Sequence, residues 1–331
     1  MPVKAMPEKA APVKPPAAPP PIKAEALGQR LARWWDSDLI WSFRHTPVAV
    51  ISFAVALLLI GTALLAPLIA PQNPFNPATL DLMDGFTKPG EAGISTQKIY
   101  ALGSDSQGRD MYSAILYGMR VSLLIGVLSV FFSLSVGVTL GLIAGYTGGR
   151  VEALIMRIAD VQLSFPAILI ALLVFGVARA IIPHAMQEQL TLFIMVFALG
   201  ISNWAQYART VRASTLVEKN KEYVQAARLI GISPFPVMIK HVLPNVTGPI
   251  LVIATINLAL AIIEEATLSF LGVGMPPTQP SLGTLIRFGQ QFLFSGEWWI
   301  LLFPSLSLIL LALAINLLGD WLRDALNPRL R

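Results

Sequence analysis

Apolar residues along this chain gather in long blocks free of Asp, Glu, Lys, Arg and His, separated by polar connections. A bilayer core about 30 Å thick takes roughly 20 apolar residues of helix. Six blocks have that character: 48–68, 121–145, 161–178, 190–208, 246–263 and 298–318. A seventh charge-free block, 266–286, is broken by Pro276, Pro277 and Pro280 and by Gly272, Gly274 and Gly283. It predicts a folded extracytoplasmic segment, re-entrant or not. Six crossings put both termini on one side of the membrane.

Between the fourth and fifth blocks lies a polar stretch, Glu222–Asn245. Good helix formers run from Glu222 to Ile230, and Gly231 stands where a left-handed residue closes a helix. Ser233 then reads as an N-cap, Pro234 as the first helical residue and Pro244 as a stop. The pattern predicts two short helices with a sharp bend. Without a task such a hairpin would be a solvated surface feature; between two spans it can be presented to a partner.

Composition agrees with the block pattern. Hydrophobic residues make up 55% of the 331 and charged residues 13%, against about 25% charged in soluble domains. The predicted class is therefore an all-α polytopic membrane protein. The absence of cysteine excludes disulfides, thiolate metal ligands and a cysteine nucleophile. The net charge of +5 follows the membrane topology and does not cluster as a nucleic-acid patch would. Arg209, Arg212, Lys219, Lys221, Arg228 and Lys240 crowd 209–241, whereas 264–297 holds only Arg287, so the positive-inside rule places the hairpin and both termini in the cytoplasm. Residues 1–23, rich in Pro, Ala and Lys, are expected to be disordered. Trp34, Trp35 and Trp41 with Arg30, Arg33 and Arg44 are expected to form an interfacial approach to the first span.

Within the second block Gly137, Gly141 and Gly145 recur on one helix face, where backbones can approach closely, inside one subunit or between two. Asn257, Asn316, Ser129, Ser133, Ser135 and Thr139 are polar but neutral and are expected to hydrogen-bond between helices. No ionisable side chain sits mid-span; Glu264 and Glu265 fall at the end of the fifth block. That pattern disfavours a proton-coupled carrier. His45, His184 and His241 fall in or beside loops without ligand spacing, so no metal site is expected. There is no Gly-x-x-x-x-Gly-Lys phosphate loop, and Ser269 in LSFLG lacks the frame of a nucleophile elbow. Neither an acidic ring nor a filter-like repeat marks a channel. What remains is a translocation subunit driven from outside.

The residues of the hairpin carry a resemblance. Gln225, Ala226, Ala227, Gly231, Leu243 and Pro244 resemble the EAA motif of permease subunits in ATP-binding-cassette importers. Gln225 stands where glutamate is usual, with Glu222 one turn earlier. His241 is similar to the peptide-importer branch, and other segments resemble its C-type subunit: LGSDSQGRD at 102–110, GYTGGR at 145–150, MRIAD at 156–160, SFP at 164–166, YAR at 207–209 with Arg212, LSFLGVGMPP at 268–277 and LRDALNPRLR at 322–331. The resemblance runs from about Arg44 to the C-terminus.

It implies the type I importer permease fold and a bacterial inner-membrane location. The chain divides on that reading into a cytoplasmic tail (1–46), a first transmembrane helix (47–70) and an extracytoplasmic loop (71–118). A permease domain of five helices (119–320), with its coupling loop at 209–245, and a cytoplasmic end (321–331) follow. The implied partners are a second, B-type permease subunit, two ATP-binding-cassette subunits and an extracytoplasmic substrate-binding protein, in a lipid bilayer and without nucleic acid. ATP and Mg would sit on the ATPase subunits, leaving this chain without a cofactor and non-catalytic. Pro234–His241 would be the coupling helix, with Glu222, Gln225, Ala226, Ala227, Gly231, Ser233, Pro234, His241, Leu243 and Pro244 as the ATPase-coupling residues. Di- and oligopeptides are the implied cargo; nickel chelates, glutathione and oligosaccharides are alternatives, and a self-sufficient secondary transporter or channel is the reading from another class.

On the outer side, 71–120 is long for a connection. Gly103 and Gly108 predict tight turns there. Asp105, Arg109 and Asp110 would either bond one another across those turns or meet the binding protein. The alternating oxygen ligands of a calcium loop are missing.

Overall fold

The computed structural model describes residues 38–325, with side chains from residue 41. The expected tail at 1–23, the group Arg30, Arg33, Trp34 and Trp35, and the C-terminal residues 326–331 lie outside the described residues.

The chain folds as an all-α polytopic membrane protein. Its helices are α1 (Asp38–His45), α2 (Pro47–Leu64), α3 (Ala66–Ile69), α4 (Met111–Thr147), α5 (Gly149–Leu163), α6 (Ala167–Ile181), α7 (His184–Glu218), α8 (Glu222–Leu229), α9 (Pro234–Pro236), α10 (Leu243–Phe270), α11 (Leu282–Phe292) and α12 (Trp299–Ala325). A π-helical turn, Val237–Val242, joins α9 to α10. Among the described residues, five helical stretches are long and apolar enough to cross a membrane, and the bent pair α5–α6 makes a sixth if counted as one broken span. Extended pairing among the described residues is limited to two isolated bridges, Ala92 with Ile99 and Ser104 with Asp110.

Two features depart from the sequence reading, and the seventh block agrees with it. The third block, 161–178, is not one helix: the axis turns by 96° between α5 and α6. Pro166 has no N–H to donate and disfavours helical backbone at Phe165, so the chain breaks at Ser164–Pro166 despite its apolar character. Pro244 does not stop the helix. It sits in the first turn of α10, and the preceding backbone widens to a π turn in which Leu243 N–H bonds Met238 O, five residues back. That extra residue per turn relieves the clash a proline ring makes with the carbonyl four residues earlier. The seventh block is a folded segment ending in α11, whose 11 residues span only about 16 Å and cannot cross a bilayer.

The most extensive helix–helix contact among the described residues joins α4 and α7. A Cβ on Gly137 would lie 2.5 Å from Tyr207 Cβ and 2.6 Å from Trp204 O; on Gly141, 2.5 Å from Ala208 O; on Gly145, 2.7 Å from Thr215 Cβ. The glycine face thus packs on α7 of the same chain, at a distance no other residue permits. Ser133 Oγ reaches across to Gly200 O (3.0 Å) and Asn257 Nδ2 to Gln206 Oε1 (3.2 Å). Ser135 and Thr139 correct the expectation of interhelical bonds, because each donates to a carbonyl four residues earlier on α4. Ser129 Oγ is buried without a protein partner, and Asn316 lies half-buried on α12. At the other end of α4, Leu282 and Leu285 of α11 insert among Met119, Leu123, Ile262, Leu311 and Ile315. Lipid-facing apolar side chains such as Ile51, Leu57 and Leu58 on α2 stay exposed within the chain itself.

Candidate functional site

The hairpin is built on a buried apolar base. Val224 and Ala227 of α8, Val237 and Val242 of the π turn, and Val246 and Ile250 of α10 pack with Leu142 of α4 and Val211 of α7. Helix α8 ends in a Schellman motif: Ile232 N–H bonds Ala227 O (3.1 Å) and Gly231 N–H bonds Arg228 O (3.0 Å), with Gly231 at φ +82°. These bonds satisfy carbonyls that a helix end leaves open. Ser233 takes the extended N-cap conformation, but its side chain makes no capping bond, which corrects its expected capping role. Two prolines, Pro234 and Pro236, fix the first turn instead, where a missing N–H costs nothing.

A polar joint locks α8 to the π turn. The Tyr223 hydroxyl donates to Glu218 Oε1, accepts from Asn245 Nδ2 (3.0 Å) and lies 3.2 Å from His241 O. Asn245 Nδ2 also donates to His241 O (2.7 Å), and Lys221 Nζ pairs with Glu218 Oε2 (2.8 Å). Desolvation and the Glu218 carboxylate push the Tyr223 hydroxyl up to about 12, so it stays a donor at ordinary pH. Two cations tie this end to the bundle: Lys219 Nζ donates to Gly145 O (2.6 Å), and Arg228 stacks 4.5 Å over the Tyr146 ring. Sequence reasoning missed Tyr223, Asn245, Glu218 and Pro236. Only the second Pro in Pro-Phe-Pro was a local signal; the other three meet through tertiary contacts.

The tip of the hairpin faces outward. Leu229 is 87% exposed, Ile230 77% and Phe235 68%. Apolar side chains held out from a folded base form a surface suited to a protein partner. Of the motif residues, Ala227 is buried in the base, Leu243 packs against it and His241 is half-buried, while Glu222, Gln225, Ala226, Gly231, Ser233, Pro234 and Pro244 lie on the exposed side. Gln225 Nε2 donates to Asn220 O (3.0 Å).

At the opposite end of the bundle, the loop before α4 is organised by carboxylates. Asp110 caps α4, accepting from Ser113 N (3.0 Å). Asp105 Oδ1 accepts from Gln107 N (2.8 Å) and Arg109 N (2.9 Å), and Asp105 and Arg109 are buried in a loop that turns at Gly103 and Gly108, with φ +79° and +72°. Asp84, unmarked by any local signal, is fully buried and accepts from Ser95 N, Thr96 N, Thr96 Oγ1 and Tyr100 Oη. Burial alone would raise its carboxyl, but these four donors outweigh it and hold the group below the usual range. Deeper in, Glu265 accepts from Ser122 Oγ and Ser269 Oγ, each at 2.7 Å, and Glu264 accepts from Asn203 Nδ2 (2.9 Å). The histidines stay apart, and no group of three metal-capable side chains occurs among the described residues.

Comparison with known proteins adds to this geometry. A family model described as binding-protein-dependent transport system inner membrane component matches residues 137–331, more than half of the chain. The chain belongs to this family of importer permeases. A second model, the N-terminal TM domain of oligopeptide transport permease C, matches residues 34–89 of the permease. The di/tripeptide transport system permease protein DppC of Pseudomonas aeruginosa is 37% identical over 88% of this permease and 91% of its own length. The glutathione transport system permease protein GsiD of Pectobacterium atrosepticum is 37% identical over 87% and 89%. In fold, the permease is similar to a chain of the inward-facing MetNI methionine ABC transporter, with TM-score 0.52 and 20% identity over 66% of this chain and 98% of that one.

Proposed function

We propose that this permease is the C-type subunit of an ATP-driven importer of di- and oligopeptides in a bacterial inner membrane. In that assembly it pairs with a B-type permease subunit and two ATP-binding-cassette subunits, and an extracytoplasmic binding protein delivers the cargo. ATP and Mg sit on the ATPases; this chain is non-catalytic. The hairpin is cytoplasmic, and its tip is seated in a groove of one ATPase.

The observation that carries this reading is the contrast within the hairpin between a locked base and an exposed apolar tip. The Schellman turn, the paired prolines and the Tyr223 joint make a rigid body, while Leu229, Ile230 and Phe235 are left for a partner. Because α9, the π turn and α10 form one stretch ending at Phe270, a displacement of the tip moves a spanning helix directly. A rigid lever of this kind converts closure of the ATPases into a switch between inward and outward openings. The peptide cargo rests on the named relatives; glutathione, itself a tripeptide, is the second reading, supported by the Pectobacterium relative.

The test is peptide uptake in membrane vesicles carrying the full complex, with Phe235→Asp beside the unaltered chain. A charge at the seat should reduce ATPase co-purification and uptake together by 10-fold or more. Uptake by the purified chain without ATPases would overturn the proposal.

A further inference from the structure

Beside the loop before α4, a cavity of about 210 Å³ opens between that loop and α11. Met111, Leu285, Phe288 and Phe292 give it apolar and aromatic walls, Gln291 stands at its rim, and Arg109 lines it. Arg109 is only 7% exposed, and its Nε is buried with no hydrogen-bond acceptor. A buried donor without a partner is unfavourable, and Arg109 lines the cavity with a guanidinium that donates no hydrogen bond to the chain.

The neighbouring charge narrows the acceptor's chemistry. Asp105 already balances Arg109: its Oδ2 lies 3.9 Å from Nη1, near enough to neutralise the charge but beyond hydrogen-bond reach. Its Oδ1 is occupied by the two backbone N–H groups of Gln107 and Arg109. An anion entering here would face Asp105 at close range in a poorly solvated space, whereas a neutral carbonyl accepts from the guanidinium without adding charge. Size sets the remainder. A cavity of about 150 Å³ with apolar walls is enough for benzene, so this one admits an aromatic ring carrying a carboxamide. The flanking phenylalanines offer the ring edge-to-face contacts.

We propose that this cavity is a binding site for a small neutral carbonyl compound with an aromatic or branched apolar body, held by the Arg109 guanidinium. It stands independently of the peptide-import reading.

Benzamide and its isosteric anion benzoate are the probes, titrated by ligand-observed NMR against the full chain in lipid nanodiscs. Empty nanodiscs correct for partitioning into lipid. Arg109→Lys keeps the charge opposite Asp105 but removes Nε and the planar fork. Gln291→Trp places bulk at the exposed rim without touching the buried walls. Saturable benzamide binding is expected, at least 10-fold weaker in each variant, with benzoate at least 10-fold weaker than benzamide. The proposal is overturned if benzamide binds the Arg109→Lys chain equally well, if benzoate binds as tightly as benzamide, or if neither probe saturates and the cavity holds water only.

Discussion

Replacing Gly231 isolates the turn on which the hairpin depends. The residue sits at φ +82°, and a Cβ there would meet nothing within 4 Å, so substitution tests the backbone alone. Alanine in the left-handed region costs about 1–2 kcal/mol, whereas asparagine tolerates it better. Proline is worse on three counts. It cannot reach positive φ, it deletes the N–H that bonds Arg228 O at 3.0 Å, and it disfavours Ile230 at its φ −82°, ψ 7°. Hydrogen exchange at Ile232, whose N–H bonds Ala227 O, reads the opening of this turn directly. A loss of one to two kcal/mol corresponds to roughly 5- to 30-fold faster exchange. The expected order is Gly231 slowest, then Gly231→Asn, then Gly231→Ala, with protection abolished in Gly231→Pro. Exchange within twofold of the unaltered chain for both alanine and proline would refute the argument that positive φ holds the turn.

Adding a methyl at Gly141 forces α4 from Ala208 O, 2.5 Å from the new Cβ, and should cost about 1–3 kcal/mol by overpacking. Gly61→Ala on α2, with open space around it, should instead be neutral or gain about 0.5–1 kcal/mol; thermal melting in detergent separates the two. Asp84 predicts a pH effect. Its folded value is depressed, so its contribution is complete above the unfolded value of about 3.9 and is lost as pH falls through the lower folded value. Limited proteolysis of the 81–100 segment should therefore be constant from pH 7 to 5 and rise below about pH 4, while Asp84→Asn should be cut readily at every pH. Tyr223→Phe removes the hydroxyl shared by Glu218 and Asn245 and should destabilise the hairpin by about 1–3 kcal/mol. In the full complex it should lower uptake more than ATPase co-purification.

Much of this fold is legible in the sequence because a bilayer demands long charge-free helices, and the blocks containing α2, α4, α7, α10 and α12 meet that demand. Gly231 is legible because positive φ has few other occupants. The block limits do not register the break at Ser164–Pro166, since the charge-free run begins at Val161 inside α5 and continues into α6, and only Pro166 signals the bend. Pro244 reads as a stop because local rules assume an α-helical ladder; the π turn that lets the helix continue depends on packing beneath Val237 and Val242. Asp84, Glu218, Tyr223 and Asn245 stay hidden for a common reason. Each earns its place through contacts from elsewhere in the fold, which neither periodicity nor composition encodes.

The central claim, that the exposed tip of the hairpin seats in an ATPase, is open to one direct measurement. The chain contains no cysteine, so Phe235→Cys introduces a single thiol without background substitution. Full complexes carrying it, or Leu82→Cys in the loop at the opposite end of the bundle, can be treated in membrane vesicles with a short thiol-to-amine cross-linker. A covalent adduct with the ATP-binding-cassette subunit is expected from position 235 and none from position 82. Adducts at equal yield from both positions, or none from 235 while transport is intact, would contradict it.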